Sequence, residues 1–383
     1  ADRLQMPPSQ QESILKPAGW MHYRYPFIYG QPDTRQFPLA TWRSAANWLH
    51  GGVRDPAWVI DHIDQDVPML IEQIRTRVLP KRGIVAAPDE ILITLGSQNA
   101  LYLLTRLLLS STTRIGVENP CFREAINTFL LADAEVVPHP VDEEGIVLNE
   151  RPCDYYYVTP GHQVPTGVTM SSARRRQLLE HAARHDAVII EDDYDSESNF
   201  TLNPLPALKA SDRSGRVVYV SSLSKALSPG LRLGFMVADP DLIDEARALR
   251  RLVYRHPPTN IQYQMAHFLA QGHYETHLRR YHYDSAQRWE RLHAALQRYL
   301  PSCRALAGSE HANAFWLQTP AQINTQQLTW RAAHAGVLIE PGARHFLSAA
   351  PPDNYFRMGF HAINPDAIAQ GVEVLRGQLE QMG

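Results

Sequence analysis

Between residues 88 and 237, short apolar runs alternate with stretches of helical period, and this alternation limits the fold more than any other feature. The apolar runs fall at 90–94, 114–118, 134–137, 155–158, 187–190, 217–220 and 231–237. Helical patterns follow at 100–109, from 122 to about 131, and from about 171 to 185. Strand, helix, strand in repetition predicts a parallel, doubly wound α/β sheet. In such sheets ligands sit outside the carboxyl ends of the strands. The polar clusters fall there: Gly96-Ser97-Gln98, Phe122, His162-Gln163, Asp192 with Tyr194, and Ser222 to Lys225.

The last cluster has the most definite chemistry. Lys225 sits in a three-serine turn between two apolar runs. Burial lowers a lysine pKa, and a neutral amine forms Schiff bases. Ser222, Ser224 and Arg232 beside it are groups that hold phosphate. Aldehyde chemistry beside phosphate binding suggests pyridoxal phosphate (PLP), although the same spacing also suits an ordinary lysine in a surface loop. Gly96-Ser97 ahead of an apolar helix makes an anion site at a helix start, or a glycine turn without a ligand. Glu191, Asp192, Asp193 and Asp195 repel one another, and they need cations, metal or solvent. A pyridinium nitrogen is one such cation. Phe122 suits a ring cover or the core.

Elsewhere the chain is plainer. Residues 1–20 are polar, carry Pro7, Pro8 and Pro17, and read as an arm or linker tail. Asp66-Val67-Pro68 predicts a helix start with Asp66 as N-cap, and Gly83 its end. Arg174, Arg175 and Arg176 read as a solvated helix face. His273 and His277 imitate zinc-ligand spacing without the glutamate that a metalloprotease motif needs, so a long amphipathic helix over 274–299 is expected instead. After it, short strands and helices form a smaller α+β lobe. The formal charge of −3 gives no general pull toward nucleic acid or anionic membrane. Three cysteines, Cys121, Cys153 and Cys303, are too few and too scattered for a disulfide framework. With no apolar run of membrane-spanning length and no visible signal peptide, a cytoplasmic location is expected.

Several phrases then act together. They are Gly-Gln-Pro-Asp at 30–33, Pro-Gly-His-Gln-Val-Pro-Thr-Gly-Val-Thr-Met at 160–170, and Glu-Asp-Asp-Tyr-Asp-Ser-Glu at 191–197. Ser-Leu-Ser-Lys-Ala-Leu-Ser-Pro-Gly-Leu-Arg-Leu-Gly at 222–234, Arg-His-Pro-Pro at 255–258 and Arg-Met-Gly-Phe at 357–360 complete the set. The chain resembles the fold-type I PLP-dependent transferases of the aspartate aminotransferase class. In detail it is similar to the aminotransferase-like domain of MocR-type regulators in the GntR family. The resemblance implies a large domain with a mainly parallel seven-stranded sheet over 56–272. A small α+β domain is expected at 273–383, with residues 21–55 packing against it.

The resemblance also implies roles. Lys225 forms the Schiff base with PLP, Asp192 pairs with the ring nitrogen, and Tyr194 meets the ring hydroxyl. Ser97, Gln98, Ser222, Ser224 and Arg232 hold the phosphate, and Phe122 stacks on the ring. Arg357 grips an amino-acid carboxylate, helped by the backbone of Gly30. No metal is expected. Two positions depart from the family pattern. Asp61-His62-Ile63-Asp64 stands where relatives carry a tyrosine that reaches the partner's phosphate. Val164 replaces the asparagine that touches the ring hydroxyl, leaving that task to His162 or Gln163. The implied function is effector sensing with an amino acid or amine, in a homodimer that meets DNA only through a winged-helix domain outside this chain. A free-standing aminotransferase is the alternative, and all its required residues are present.

Overall fold

The computed structural model describes residues 8–14, 16–51, 57–61, 65–149, 151–201, 204–306 and 311–382. A two-residue strand β1 (Tyr25–Pro26) and helix α1 (Leu39–Gly51) precede helix α2 (Pro68–Gln73), whose coil continues without a break to Arg82. Val67, not Asp66, stands at the N-cap of α2. The Asp66 carboxylate instead turns inward and accepts from the backbone N–H of Ile93 and from Arg247 and Arg250. Arg250 is fully buried, so the pair neutralises a charge that could not otherwise remain there.

The central layer then unrolls as alternating elements. Strand β2 (Ile91–Thr94) leads to α3 (Ser97–Leu108), and β3 (Arg114–Asn119) to α4 (Arg123–Leu130). Next come β4 (Glu135–Asp142), β5 (Gly145–Ile146), β6 (Tyr155–Val158) and α5 (Ser172–Arg184). Strands β7 (Val188–Asp193), β8 (Val217–Ser222) and β9 (Gly234–Val237) complete the sheet. Its order is β2-β9-β8-β7-β6-β3-β4-β5. The neighbours from β8 to β4 run parallel; β9 is antiparallel to both β2 and β8. The eighth strand, beyond the seven expected, is the two-residue β5, which folds back on β4.

Period-two alternation assigns each strand residue to a face. Val218 and Val220 pack with α3 and α4, along with α6 (Pro240–Tyr254). Tyr219, Ile91 and Ile93 face the other way, onto α2 and α7 (Thr259–Ala270). Helix α8 (His273–Tyr299) joins both parts of the molecule. Its first turns place Tyr274, Leu278 and Tyr281 in this second layer. Its last turns place Leu292 and Leu296 against a four-stranded antiparallel sheet. That sheet runs β10 (Arg304–Ala305), β11 (Ala314–Gln318), β14 (Tyr355–Gly359), β13 (Glu340–Pro341). Helices α9 (Thr325–His334) and α10 (Ile368–Glu380) cover it, and β12 (Val337–Leu338) pairs with β1. No helix among the described residues is long and apolar enough to cross a membrane.

Arg174 and Arg175 are not a solvated face. Arg175 is buried and donates to the carbonyls of Pro160, Met170 and Pro206, which clamps the 160–170 loop to α5. Arg174 bonds the carbonyls of Gly145 and Ile146 and the carboxylate of Asp142.

Candidate active site

The carboxyl ends of β2, β3, β6, β7 and β8 open on one cavity of about 340 Å³, a volume typical of small-molecule sites. Lys225 lies on the turn after β8. Its Nζ donates to the hydroxyl of Tyr29 at 2.5 Å and sits 3.9 Å from the ring centroid of Tyr194. Burial, aided by the charges of Lys16 and Arg357, lowers its pKa to about 7. Near neutral pH a large share of this amine is therefore uncharged.

Strand alternation resolves the acidic run. Glu191 and Asp193 leave β7 on one face. Glu191 accepts from the backbone N–H groups of Leu208 and Lys209, and Asp193 from Arg82 and Tyr219. Asp192 leaves on the other face and lines the cavity. Its Oδ2 accepts from Tyr157, but its Oδ1 is buried with no partner. Burial raises its pKa to about 7 against the pull of Tyr157. Asp195, past the strand end, is tied to His162 and Asn313.

The opposite wall is built on α3. Ser97 and Gln98, the first residues of that helix, line the cavity. Arg232 crosses Gly96 to donate to Leu95 O, and Gly96 takes a φ of +81°, a conformation that favours glycine. Ser222 Oγ accepts from the N–H of Ser224 and lines the cavity. Phe122 stands at the start of α4 on the same cavity. Gly30 and Arg357 close the far end.

The structure thus brings together Gly30, Ser97, Gln98, Phe122, Asp192 and Tyr194 with Ser222, Ser224, Lys225, Arg232 and Arg357. It does not bring His162 and Gln163 to the lining. Both are buried behind it: His162 is held by Asp195, and Gln163 donates to the carbonyls of Pro120 and Val164. The side chain facing the cavity there is Val164. Ser224 lines the cavity but uses its hydroxyl on both backbone groups of Leu233, so it braces the turn. The Tyr194 hydroxyl donates to His162 O. Of the segment expected to replace the cross-dimer tyrosine, residues 62–64 lie outside the described residues; Asp61 pairs with Arg255 and His256. The sequence reading missed the roles of Lys16, Glu124 and Glu340. No local pattern marks them, because each reaches the site through tertiary packing.

A profile of the aminotransferase class I and II family matches residues 64–368. The chain belongs to that family. The HTH-type transcriptional regulator TauR of Rhodobacter capsulatus is 39% identical over 91% of this chain and 72% of its own length. The probable rhizopine catabolism regulatory protein MocR of Rhizobium meliloti is 33% identical over 92% of this chain and 72% of its own. Among solved aminotransferases, the α-aminoadipate aminotransferase LysN of Thermus thermophilus, complexed with N-(5'-phosphopyridoxyl)-L-leucine, superposes with a TM-score of 0.84. It is 26% identical, with 100% of this chain and 96% of that one covered.

Proposed function

We propose that this aminotransferase-family chain binds PLP and a small amino acid or amine, and that it serves as the effector-sensing part of a MocR-type regulator. The observation that carries the reading is the orphaned Oδ1 of Asp192, buried in the cavity that also holds the near-neutral amine of Lys225. A buried carboxylate without a cation is costly unless a ligand supplies one. The residues fit PLP. Lys225 would hold it by its amine, and Asp192 would pair with its ring nitrogen. Ser97, Gln98, Ser222 and Arg232 would hold its phosphate, with Phe122 over the ring. PLP, when bound, acts as an electron sink that acidifies the carbon bearing the ligand's amine.

The chain's own groups do the rest. Tyr29 fixes Lys225 Nζ, which accepts or returns a proton near neutral pH. Tyr157 orients the Asp192 carboxylate. Arg357 offers a guanidinium to the ligand's acid. Identity with the two regulators over most of this chain favours sensing, in a dimer whose DNA contact would belong to a different segment. Complete transamination by the same groups is the second reading, favoured by the cavity's full set of lysine, aspartate and arginine.

The test begins by mixing the purified chain with PLP, reducing with borohydride and mapping the modified peptide. Label on Lys225 is expected; label elsewhere, or none, sinks the cofactor reading. Incubation of the loaded chain with amino acids then separates the two roles. Sensing predicts a stable spectral change without keto-acid release, whereas steady keto-acid release supports the enzyme.

A further inference from the structure

Residues 11–14 and Lys16, ahead of β1, are fastened beside the cavity. Gln11 donates to Asn127 O at 3.1 Å, and Asn127 donates to Glu12 O at 2.7 Å. Arg344 donates to Ser13 O at 2.7 Å, and Arg123 lies 3.6 Å from the Glu12 carboxylate. With residues 11–13 pinned to α4 and Arg344, Ile14 and Lys16 join the cavity wall.

Lys16 is open to solvent at the mouth while its Nζ hangs inward. That nitrogen lies 5.9 Å from the centroid of the Tyr29 ring, whose other neighbours are Lys225 Nζ at 4.5 Å and Arg357 Cζ at 3.9 Å. A Cβ on Gly30 would come within 2.9 Å of it. Among the described residues no carboxylate pairs with Lys16, although Glu124 lines the same cavity. Arg357, by contrast, is already paired with Glu340 at 2.7 Å. Glu340 has claimed part of the Arg357 guanidinium, so Lys16 supplies a second cation beside Arg357 at this end of the cavity.

We propose that Lys16 is a specificity-determining residue that recognises the acid group of the amino ligand. Lys16 and Lys225 approach the same tyrosine ring and line the same cavity. A lysine ammonium is a compact point charge, so it attracts an acid group without demanding the planar geometry that a guanidinium does. The inference rests on the reading that Lys225 holds PLP in this cavity.

The test is an equilibrium titration of the PLP-loaded chain, read by its visible absorbance. The probes are alanine, 3-aminopropanesulfonate and propylamine. Lys16→Met should raise the half-saturating concentration of the two acids by about tenfold or more and leave propylamine within about twofold. Lys16→Arg should recover most of the loss. A parallel weakening of all three probes would show that the arm merely covers the cavity, and it overturns the proposal. No shift for any probe overturns it too. A wild type that takes up no PLP overturns the cofactor reading and this one with it. A loaded wild type whose Lys16→Met variant is unchanged overturns the role of Lys16 alone.

Discussion

Arg357 Nη2 lies 2.7 Å from Glu340 Oε1, and His345 Nε2 meets the same oxygen at 2.9 Å. The arginine that resemblance assigns to the ligand's carboxylate therefore already has an acidic partner. Its Nε is buried and unpartnered, and its guanidinium lies over the Tyr29 ring. If a ligand acid is held here as proposed, it would share a guanidinium that Glu340 already holds in place.

Glu340→Gln tests that arrangement. Removing one side of a buried ion pair leaves the other uncompensated and should cost about 3 kcal/mol, read by urea unfolding. Burial disfavours the Glu340 charge, but Arg357 and His345 hold its pKa down to about 2. A depressed carboxylate stabilises the fold above its ordinary pKa, and the contribution is lost as pH falls through about 2. The gap between variant and wild type should therefore be full at pH 7 and shrink at strongly acid pH. Alanine at saturation should raise the Tm of the loaded variant more than that of the wild type, because its carboxylate replaces the missing one. Equal rises would count against a shared guanidinium.

Asp192→Asn should act with opposite signs on the two states. In the unloaded protein, burial raises the Asp192 pKa to about 7. An acid raised in this way supports the fold fully below its ordinary pKa, and the support is lost as pH rises through about 7. The asparagine variant should lack that portion of the pH dependence and match or exceed the wild type's stability above pH 7. Its affinity for PLP should fall by roughly ten- to a hundredfold, the worth of a hydrogen bond to a charged group. Denaturation curves from pH 4 to 8 and a PLP titration check the two halves separately.

The sheet was legible because most of its longer strands hold an apolar run, and because polar residues collect where those runs stop; β4 runs on past its apolar start to Asp142. Asp192, Lys225 and Arg232 could be chosen on that ground before any coordinates. The 160–170 loop was harder. Its composition marks it as important, yet nothing local shows that His162 turns toward Asp195 while Val164 turns toward the cavity. Asp66 followed by a proline looked like a helix cap, and only the distant Arg250 shows why it points inward. Lys16 and Glu340 are far apart in sequence and meet one tyrosine-lined wall, so proximity on the chain carries no trace of either.

Arg175→Ala measures the clamp on that loop. The buried guanidinium serves three carbonyls from Pro160, Met170 and Pro206. Deleting it strands all three and should destabilise the chain by about 3 kcal/mol or more. The neighbouring Arg176, which is exposed, should tolerate alanine within about 0.5 kcal/mol. Urea midpoints for both variants provide the check, and equal effects would restore the reading of this cluster as a solvated face.

The pH dependence of PLP capture follows from the setting of Lys225. Only the neutral amine reacts with an aldehyde, so the rate should follow the deprotonated fraction of Nζ. Burial, with Lys16 and Arg357 nearby, brings that deprotonation to about pH 7 from an ordinary value of 10.5. Stopped-flow absorbance should therefore show a rate that rises from pH 6 and levels off by about pH 8. Lys16→Met removes one of the charges that favour deprotonation, and it should move the midpoint upward. Asp195 acts the other way: its carboxylate favours the ammonium form, so Asp195→Asn should move the midpoint down. A wild-type rate still climbing at pH 10 would show that Lys225 is solvated like a surface lysine, and the cavity's claim to a reactive amine would go with it.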